Sequence, residues 1–231
     1  MLRTFTNDFA ELFYPSLCVV CGRRLTASTP HICLSCLCDL PQARYHERAE
    51  NPMMKLYAGF PNLREAAAFL IFEKDGVARK IVHDFKYHHN KSLAEFMGRI
   101  ALQAPDAAKL FRDVDFLIPV PLHPKKERQR GYNQSYHIAR GIAAARRLPV
   151  RNDMLYRKIY TPTQTSKSHY DRYLNTEDVF AVKNARTCEG KHTLLVDDVI
   201  TSGATSVACL CTLSAIPNMR VSIFSIAIVP Q

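Results

Sequence analysis

The chain lacks several features that would place it in familiar protein classes. No export signal precedes its cysteines, and the first 17 residues carry Asp8 and Glu11 inside their apolar pattern. No uninterrupted apolar stretch approaches the roughly 20 residues that a membrane helix needs. Neither a GxxxxGK(S/T) nor a GxGxxG sequence occurs, which excludes the two common glycine-rich phosphate loops. We therefore expect a soluble cytoplasmic protein without membrane insertion.

The composition indicates a globular protein with anionic partners. With 231 residues and 47% apolar composition, the chain can bury a substantial core, so we expect one full domain with a small appendage. Lys and Arg outnumber Asp and Glu by 31 to 21, a formal net charge of +10. This charge favours phosphorylated metabolites or nucleic acid as partners and does not distinguish between them.

The cysteines indicate a metal site, since five of the eight lie within positions 18 to 38. Four of these five form two CxxC pairs and are the expected zinc ligands: Cys18, Cys21, Cys33 and Cys36. Four thiolates complete a tetrahedral site and leave no position for a substrate, so the Zn²⁺ is expected to be structural. Cys38 is a spare thiol. The three distant cysteines are interpreted as small core hydrophobes: Cys188, Cys209 and Cys211.

The hydrophobic pattern predicts three segments and an α/β fold. They are a helix and zinc module at 1–41, a polar connector or hood at 42–60, and an α/β domain at 61–231. Strands are predicted at 66–72, 116–122, 180–182, 193–196 and 221–229, with a strand-like piece near Pro149. Helices are predicted at 75–89, 92–103 with Ser92 as cap, 133–147 and 206–214. Alternation of strands and helices predicts a parallel sheet with its ligand site at the carboxyl ends of the strands.

The sequence LLVDDVITSGAT at 194–205 is typical of a sugar-phosphate site at such an edge. Backbone N–H groups of the loop and of the following helical turn make a pocket for a phosphate dianion. The adjacent carboxylates of Asp197 and Asp198 can only accept hydrogen bonds when ionised, so they suit the vicinal hydroxyls of a ribose. An ordinary turn with Ser and Thr caps is the alternative; it explains the hydroxyl residues but not the paired acids.

The ordered set of motifs resembles a known family. A strand ending in two acids and running into TSGAT resembles the 5-phosphoribosyl-1-pyrophosphate (PRPP) motif of type I phosphoribosyltransferases. The same chain carries two CxxC pairs, PVPLH at 119–123, RGYNQ at 130–134, and the isolated Gln164, Arg172 and Asn175. Together these features resemble the ComF family over almost the whole chain.

The resemblance implies a type I phosphoribosyltransferase-like sheet flanked by helices and assigns roles to particular residues. Asp197 and Asp198 would bind the ribose hydroxyls as catalytic residues. The 5′-phosphate would be held by Thr201, Ser202, Gly203, Ala204 and Thr205. Pyrophosphate, together with Mg²⁺, would be held by the basic residues of a loop, Lys125, Lys126, Arg128 and Arg130. For any one of these cations, a solvated basic loop is an equally good explanation.

The polar segment 160–178 is similar to the mobile lid of these transferases, and Arg172 is the catalytic candidate within it, ahead of Lys167. An active enzyme would displace pyrophosphate from PRPP by a nitrogen nucleophile, as an amidophosphoribosyltransferase does. The sequence does not identify that acceptor. We expect a phosphoribosyltransferase on this basis.

Two other functions stay open. The first is binding of single-stranded DNA or of a competence helicase partner in natural transformation, which resemblance to the ComF family implies. Lys86 would then contact either the nucleic-acid backbone or the sugar-phosphate site. Tyr87 and Tyr132 would stack on bases. The second is a PRPP sensor that catalyses no reaction.

Overall fold

The computed structural model describes residues 15–26, 29–47, 50–105, 107–159 and 179–230. Its central feature is a four-stranded sheet in which every pairing is parallel. The strands lie in the order β1 (Leu63–Ile71), β6 (Arg220–Ile228), β5 (His192–Ile200) and β2 (Phe116–Pro119). A separate antiparallel pair, β3 (Leu155–Arg157) and β4 (Phe180–Val182), flanks segment 160–178. The predicted α/β class with a parallel sheet is confirmed.

The described helices are short to medium in length and follow the predicted alternation with strands. They are α1 (Leu34–Cys38), α2 (Pro52–Leu56), α3 (Val77–Tyr87), α4 (Lys91–Ala101), α5 (Ala107–Leu110), α6 (Pro124–Arg130), α7 (Gln134–Arg146) and α8 (Ala204–Ser214). Short 3-10 turns cover Tyr45–Glu47 and Ala185–Cys188. None of the helices in the described ranges is long and apolar enough to cross a membrane.

Side chains on both faces of the sheet are buried, as expected for a parallel sheet. One apolar cluster contains Ala67 and Phe69 of β1 and joins the sheet to α3, α4, α7 and the zinc module. The other contains Ala66 and Ala68 and joins the opposite face to α2 and α8. Alternate residues of one strand thus point to different cores, because successive side chains in a strand lie on opposite faces.

The connections that follow β2 and β5 pass to opposite faces of the sheet. The helix α7, after β2, contributes Ile138 and Ile142 to the first core. The helix α8, after β5, contributes Val207 and Leu210 to the second. Since β2 and β5 are hydrogen-bonded neighbours, a crevice opens between the two departing chains at the carboxyl ends of these strands. Parallel α/β sheets bind their ligands at such a switch point.

Three local predictions were wrong. The cap of α4 is Asn90, whose side chain accepts a hydrogen bond from the N–H of Leu93 at 3.0 Å, and not Ser92. The basic stretch predicted as a loop is the helix α6, which begins after His123, and Pro124 suits its first position. The strand β5 extends through both aspartates to Ile200, because β6 continues to pair with it.

Helices α4 and α7 approach closely at two glycines. A Cβ atom at Gly141 would overlap the carbonyl of Glu95, and one at Gly98 would overlap the carbonyl of Ile138. Both obstacles are backbone atoms, which cannot move without shifting a helix. This contact fixes α7, whose first turn lies at the switch point, against the rest of the domain.

We therefore predict that Gly141→Ala lowers the free energy of unfolding by at least about 2 kcal/mol, because overpacking displaces the helix. Urea denaturation followed by circular dichroism measures the change. Ala144→Ser, at an exposed position of the same helix, should change stability by less than about 0.5 kcal/mol. Equal effects of the two substitutions would contradict the close helix contact.

Candidate functional site

The adjacent acids lie at the carboxyl end of β5 and are both largely buried. An Oδ1 atom of Asp197 accepts hydrogen bonds from the Ser135 hydroxyl at 3.2 Å and from the N–H of Asp198 at 2.8 Å. The Oδ1 atom of Asp198 accepts from the N–H of Val199 at 2.6 Å. Ser135 belongs to the first turn of α7, so the acid pair faces the switch point between β2 and β5.

The Asp197 carboxyl is hard to ionise in this position. Its burial and the neighbouring charge of Asp198 raise its pKa to about 7. The hydrogen bonds from Asp198 and Ser135 and the charge of Lys86 oppose this shift only in part. Burial thus favours the neutral form of the Asp197 carboxyl more than water would.

A lysine from α3 supplies the opposite charge. The Nζ atom of Lys86 lies 3.0 Å from Oδ2 of Asp198, and the two side chains are only 17% and 12% exposed. An ion pair that is shielded from water on this scale is stronger than a surface pair. Lys86 was predicted to face either the candidate site or a nucleic-acid backbone, and its contact with Asp198 directs it to the acid pair.

The loop Thr201–Thr205 leads into α8, with Gly203 at the cap position and Ala204 as the first helical residue. Gly203 has φ of 74°, a left-handed conformation, and its missing Cβ leaves room for Leu56, whose Cδ2 would otherwise be 2.8 Å away. Ser206 donates to the Gly203 carbonyl at 2.9 Å and lies 2.7 Å from the Tyr57 hydroxyl. The first N–H groups of α8 have no partner within the helix. A small cavity lined by Asp197 and by Val199–Ser206 lies in front of them.

The connector helix α2 and the following Tyr57 therefore contact the loop Thr201–Thr205 and the start of α8 directly. Burial raises the pKa of Tyr57 above its usual range, and its hydroxyl is held by Ser206. The contact through Leu56 and Tyr57 had no recognisable signal in the sequence of the connector, since each residue alone is an ordinary apolar or aromatic side chain.

The basic helix α6 brings cations into the neighbourhood of Asp198. Burial lowers the pKa of Lys126, and repulsion from Arg130, Arg157 and Lys86 lowers it further, while Asp198 opposes the shift. These charges therefore lie in one neighbourhood. By contrast, Lys125 and Arg128 are exposed. Arg157 was not among the predicted site residues; it lies in β3, and its guanidinium lies 5.5 Å from the centre of the Phe180 ring.

The motif RGYNQ ties α6 to α7. Arg130 donates to Oε1 of Gln134 at 3.1 Å, and Asn133 caps α7 and donates to the carbonyl of Val120 at 3.0 Å. Gly131 has φ of 77° and ends α6. The Tyr132 hydroxyl donates to the Phe85 carbonyl.

The predicted nucleic-acid residues have different surroundings. Tyr132 is 4% exposed, so its ring is not available to a base, and its assignment to stacking is wrong because it anchors α6 to α3. Tyr87 is 57% exposed and packs against His83 with ring centroids 4.7 Å apart and the ring planes tilted by 43°. Arg130 lies over the same tyrosine ring at 5.9 Å.

The four expected zinc ligands come together near the N-terminus. The Sγ atoms of Cys18, Cys21, Cys33 and Cys36 all lie within 4.8 Å of one another. Tetrahedral zinc with bonds of about 2.3 Å requires sulfur separations of about 3.8 Å. The Cys21 and Cys33 sulfurs are 3.7 Å apart, so the cluster fits zinc.

Local backbone geometry prepares the first thiolate. Gly22 has φ of 72°, and its N–H donates to the Cys18 carbonyl at 2.8 Å, closing the first CxxC turn. Burial opposes ionisation of Cys18, but hydrogen bonds from the backbone of Cys33, Cys21 and Val20 lower its pKa to about 6. The four cysteines therefore cluster in a possible zinc-binding site, and the structural role of the metal stays a prediction.

The remaining cysteines are only partly as predicted. Cys188 and Cys209 are fully buried, as expected for small core residues. Cys211 is exposed on α8, so its assignment to the core is wrong, and Cys38 is exposed as well. The lid residues Gln164, Lys167, Arg172 and Asn175 lie outside the described residues.

Comparison with curated proteins gives relatives named for competence and DNA use, although no family model matches the chain. Competence protein F of Haemophilus influenzae is 28% identical over 129 residues, covering 54% of this chain and 56% of that protein. Competence protein ComFC of Bacillus subtilis is 25% identical over 226 residues, covering 91% and 83%. DNA utilization protein YhgH of Salmonella typhi is 26% identical over 207 residues, covering 84% and 88%. The Haemophilus alignment thus spans about half of that relative's length. These relatives confirm the resemblance to the ComF family.

Two solved structures to which the chain is similar are a PRPP amidotransferase and an adenine phosphoribosyltransferase by name. The glutamine PRPP amidotransferase of B. subtilis is 19% identical with a TM-score of 0.41, covering 62% of this chain and 30% of that chain. Adenine phosphoribosyltransferase of Saccharomyces cerevisiae is 14% identical with a TM-score of 0.34, covering 69% and 72%.

For the zinc module, we predict about one zinc ion per purified chain. Cys33→Ser should lose the metal and lower the melting temperature, because one of four ligands is removed. Cys38→Ser, at the neighbouring exposed thiol, should keep the bound zinc and the wild-type melting temperature. Metal analysis by mass spectrometry and thermal denaturation measure the two effects, and full zinc content in Cys33→Ser would contradict the assignment.

For the acid pair, we predict that Asp197→Asn stabilises the protein at alkaline pH. An acid whose pKa rises from 3.8 unfolded to about 7 folded destabilises the fold progressively as pH rises across that range. At pH 8 the variant should gain at least about 1 kcal/mol, a rise in melting temperature of about 2–4 °C. The difference should vanish near pH 4.

The exposed control Glu189→Gln should show no such dependence on pH. If Asp197→Asn and wild type differed in stability by the same amount at pH 4 and pH 8, the raised pKa of this buried carboxyl would be contradicted.

Proposed function

We propose that this chain binds PRPP through its ribose 5-phosphate moiety, together with Mg²⁺, and that it acts in DNA uptake. The observation that carries the proposal is the position of the acid pair: Asp197 and Asp198 lie at a switch point of the sheet, directly before a loop that opens the helix α8. Parallel sheets bind ligands at this point.

The 5-phosphate would occupy the loop Thr201–Thr205. The N–H groups at the start of α8 point into this position, and the helix dipole favours an anion there. The cavity in front of the loop has Asp197 as one wall. A ribose whose phosphate is bound by the loop therefore brings its hydroxyls toward the acid pair, where the carboxylate oxygens accept hydrogen bonds.

The pyrophosphate group would face the cations of α6 and β3. Lys126, Arg130 and Arg157 are partly buried there, and partly buried cations are stabilised by an anionic ligand. Lys125 and Arg128 are more exposed and would contribute mainly to attraction at longer range. Mg²⁺ bound with pyrophosphate supplies further positive charge that neutralises the leaving group.

Catalysis would be phosphoribosyl transfer. The bond between the anomeric carbon and the pyrophosphate oxygen breaks, a nitrogen nucleophile forms the new bond, and the bonding electron pair leaves with pyrophosphate. Asp197 and Asp198 would hold the ribose in position, and Arg172 would contribute from segment 160–178. The acceptor is an unidentified nitrogen compound. A PRPP-binding protein without turnover would use the same residues.

The role in DNA uptake is supported by relatives that are named competence and DNA utilization proteins. Binding of single-stranded DNA is the second candidate function, and an exposed face of α3 favours it. That face carries Arg79, Lys80 and His83 with the exposed ring of Tyr87. A groove of about 460 Å³ runs between this face and the zinc module at Val19. Cations beside an exposed aromatic ring suit a nucleic-acid strand.

Isothermal titration calorimetry with PRPP and Mg²⁺ tests the proposal. Wild type should bind PRPP, and the double variant Asp197→Asn/Asp198→Asn should lose at least about tenfold in affinity, because the loss of charge-assisted hydrogen bonds to the ribose costs more than about 1.4 kcal/mol. Release of pyrophosphate on addition of a candidate base would demonstrate transfer.

A parallel titration with single-stranded DNA over a range of salt concentrations separates the candidate functions. Arg79→Gln/Lys80→Gln should weaken DNA binding and leave PRPP binding unchanged. If DNA binds equally to wild type and the double aspartate variant while PRPP binds to neither, the transferase-type site is excluded.

A further inference from the structure

Gln134 is a polar residue in a position where stability favours an apolar one. It is 1% exposed, and its Nε2 atom is buried without a hydrogen-bond partner among the described residues. A buried N–H group without a partner destabilises the fold. A methionine has a similar shape and no such group, so stability does not explain a glutamine here.

The other end of the same amide makes a specific contact. Its Oε1 atom accepts a hydrogen bond from Arg130 at 3.1 Å. The guanidinium is also placed over the ring of Tyr87 at 5.9 Å. Arg130 is thus held between α7 and α3, and its orientation is fixed before any ligand binds. An arginine that is ordered in advance loses less conformational entropy on binding an anion.

The contact lies one residue along α7 from a contact to the acid pair. The residue after Gln134 is Ser135, whose hydroxyl donates to Asp197 at 3.2 Å. The first turn of α7 therefore fixes the guanidinium of Arg130 and the carboxylate of Asp197 through adjacent residues. In the described part of the chain, no carboxylate forms an ion pair with Arg130, whereas Lys86 is paired with Asp198.

We propose that Gln134 is a positioning residue that holds Arg130 to bind the phosphoryl groups at the anomeric end of the sugar. The inference rests on the proposed function and deepens it: the site prefers a ribose phosphorylated at both ends to ribose 5-phosphate. Since the 5-phosphate is bound by the separate loop Thr201–Thr205, only the anomeric phosphoryl groups depend on Arg130.

The test compares PRPP with ribose 5-phosphate as ligands, both in the presence of Mg²⁺, by calorimetry on wild type and Gln134→Met. The variant should bind PRPP about tenfold more weakly, the effect of one charge-assisted hydrogen bond, and bind ribose 5-phosphate as wild type does. Its melting temperature should be equal to or higher than that of wild type, because the unsatisfied N–H group is gone. A residue with a merely structural role would instead lower stability and weaken both ligands.

Gln129→Met is the matched control, since it makes the same substitution at an exposed position of α6; it should leave both affinities unchanged. Arg130→Met should reproduce the selective loss for PRPP. The double variant Gln134→Met/Arg130→Met should lose no more than Arg130→Met alone, because the glutamine acts through the arginine.

The possible failures are distinguishable. If wild type binds neither ligand, the proposed function fails and the inference fails with it. If wild type binds both and Gln134→Met keeps the wild-type ratio of the two affinities, or if the losses of the two single variants add, the positioning role is overturned while the sugar-phosphate site stands.

Discussion

The balance of charge at two neighbouring carboxylates governs the arrangement of the site. Asp197 and Asp198 are both largely buried, and two buried like charges repel one another. Three elements offset this cost: β5 supplies backbone N–H groups, α7 supplies the Ser135 hydroxyl, and α3 supplies Lys86 at 3.0 Å. Helices from separate parts of the chain must therefore pack in register before the acids can be held together.

That requirement explains features that lie away from the acids. The close approach of α4 and α7 at Gly98 and Gly141 fixes the position of the α7 first turn. Tyr132 anchors α6 to α3 instead of facing solvent. The connector contacts Gly203 and Ser206 through Leu56 and Tyr57, so the region between the cysteine cluster and the sheet shapes the candidate site as well as linking two parts. The zinc cluster joins the same apolar core as α3 and α4 and so supports the helix that carries Lys86.

Sequence patterns predicted the elements whose signals are local. The two CxxC pairs placed four sulfurs within 4.8 Å, because each pair spans a single turn. The run of apolar residues before Asp197 predicted a strand that brings the acids to the carboxyl ends of the parallel strands, and Asn133 marked the start of α7. The basic stretch at 125–130 was taken for a loop because its charges hide the helix that Pro124 opens. Cys211 was assigned to the core because a cysteine in sequence carries no information on which face of a helix it occupies.

By itself, the sequence determined the fold class, the cluster of four cysteines, and the acids and loop that form the candidate site. These depend on the spacing of residues within one turn or one strand. Only the tertiary structure decided that Lys86 pairs with Asp198, that Arg157 joins the cations of α6, and that Tyr132 is buried. Such contacts join residues far apart in the chain, and their geometry follows from how helices pack on a twisted sheet. No short pattern of residues encodes that packing.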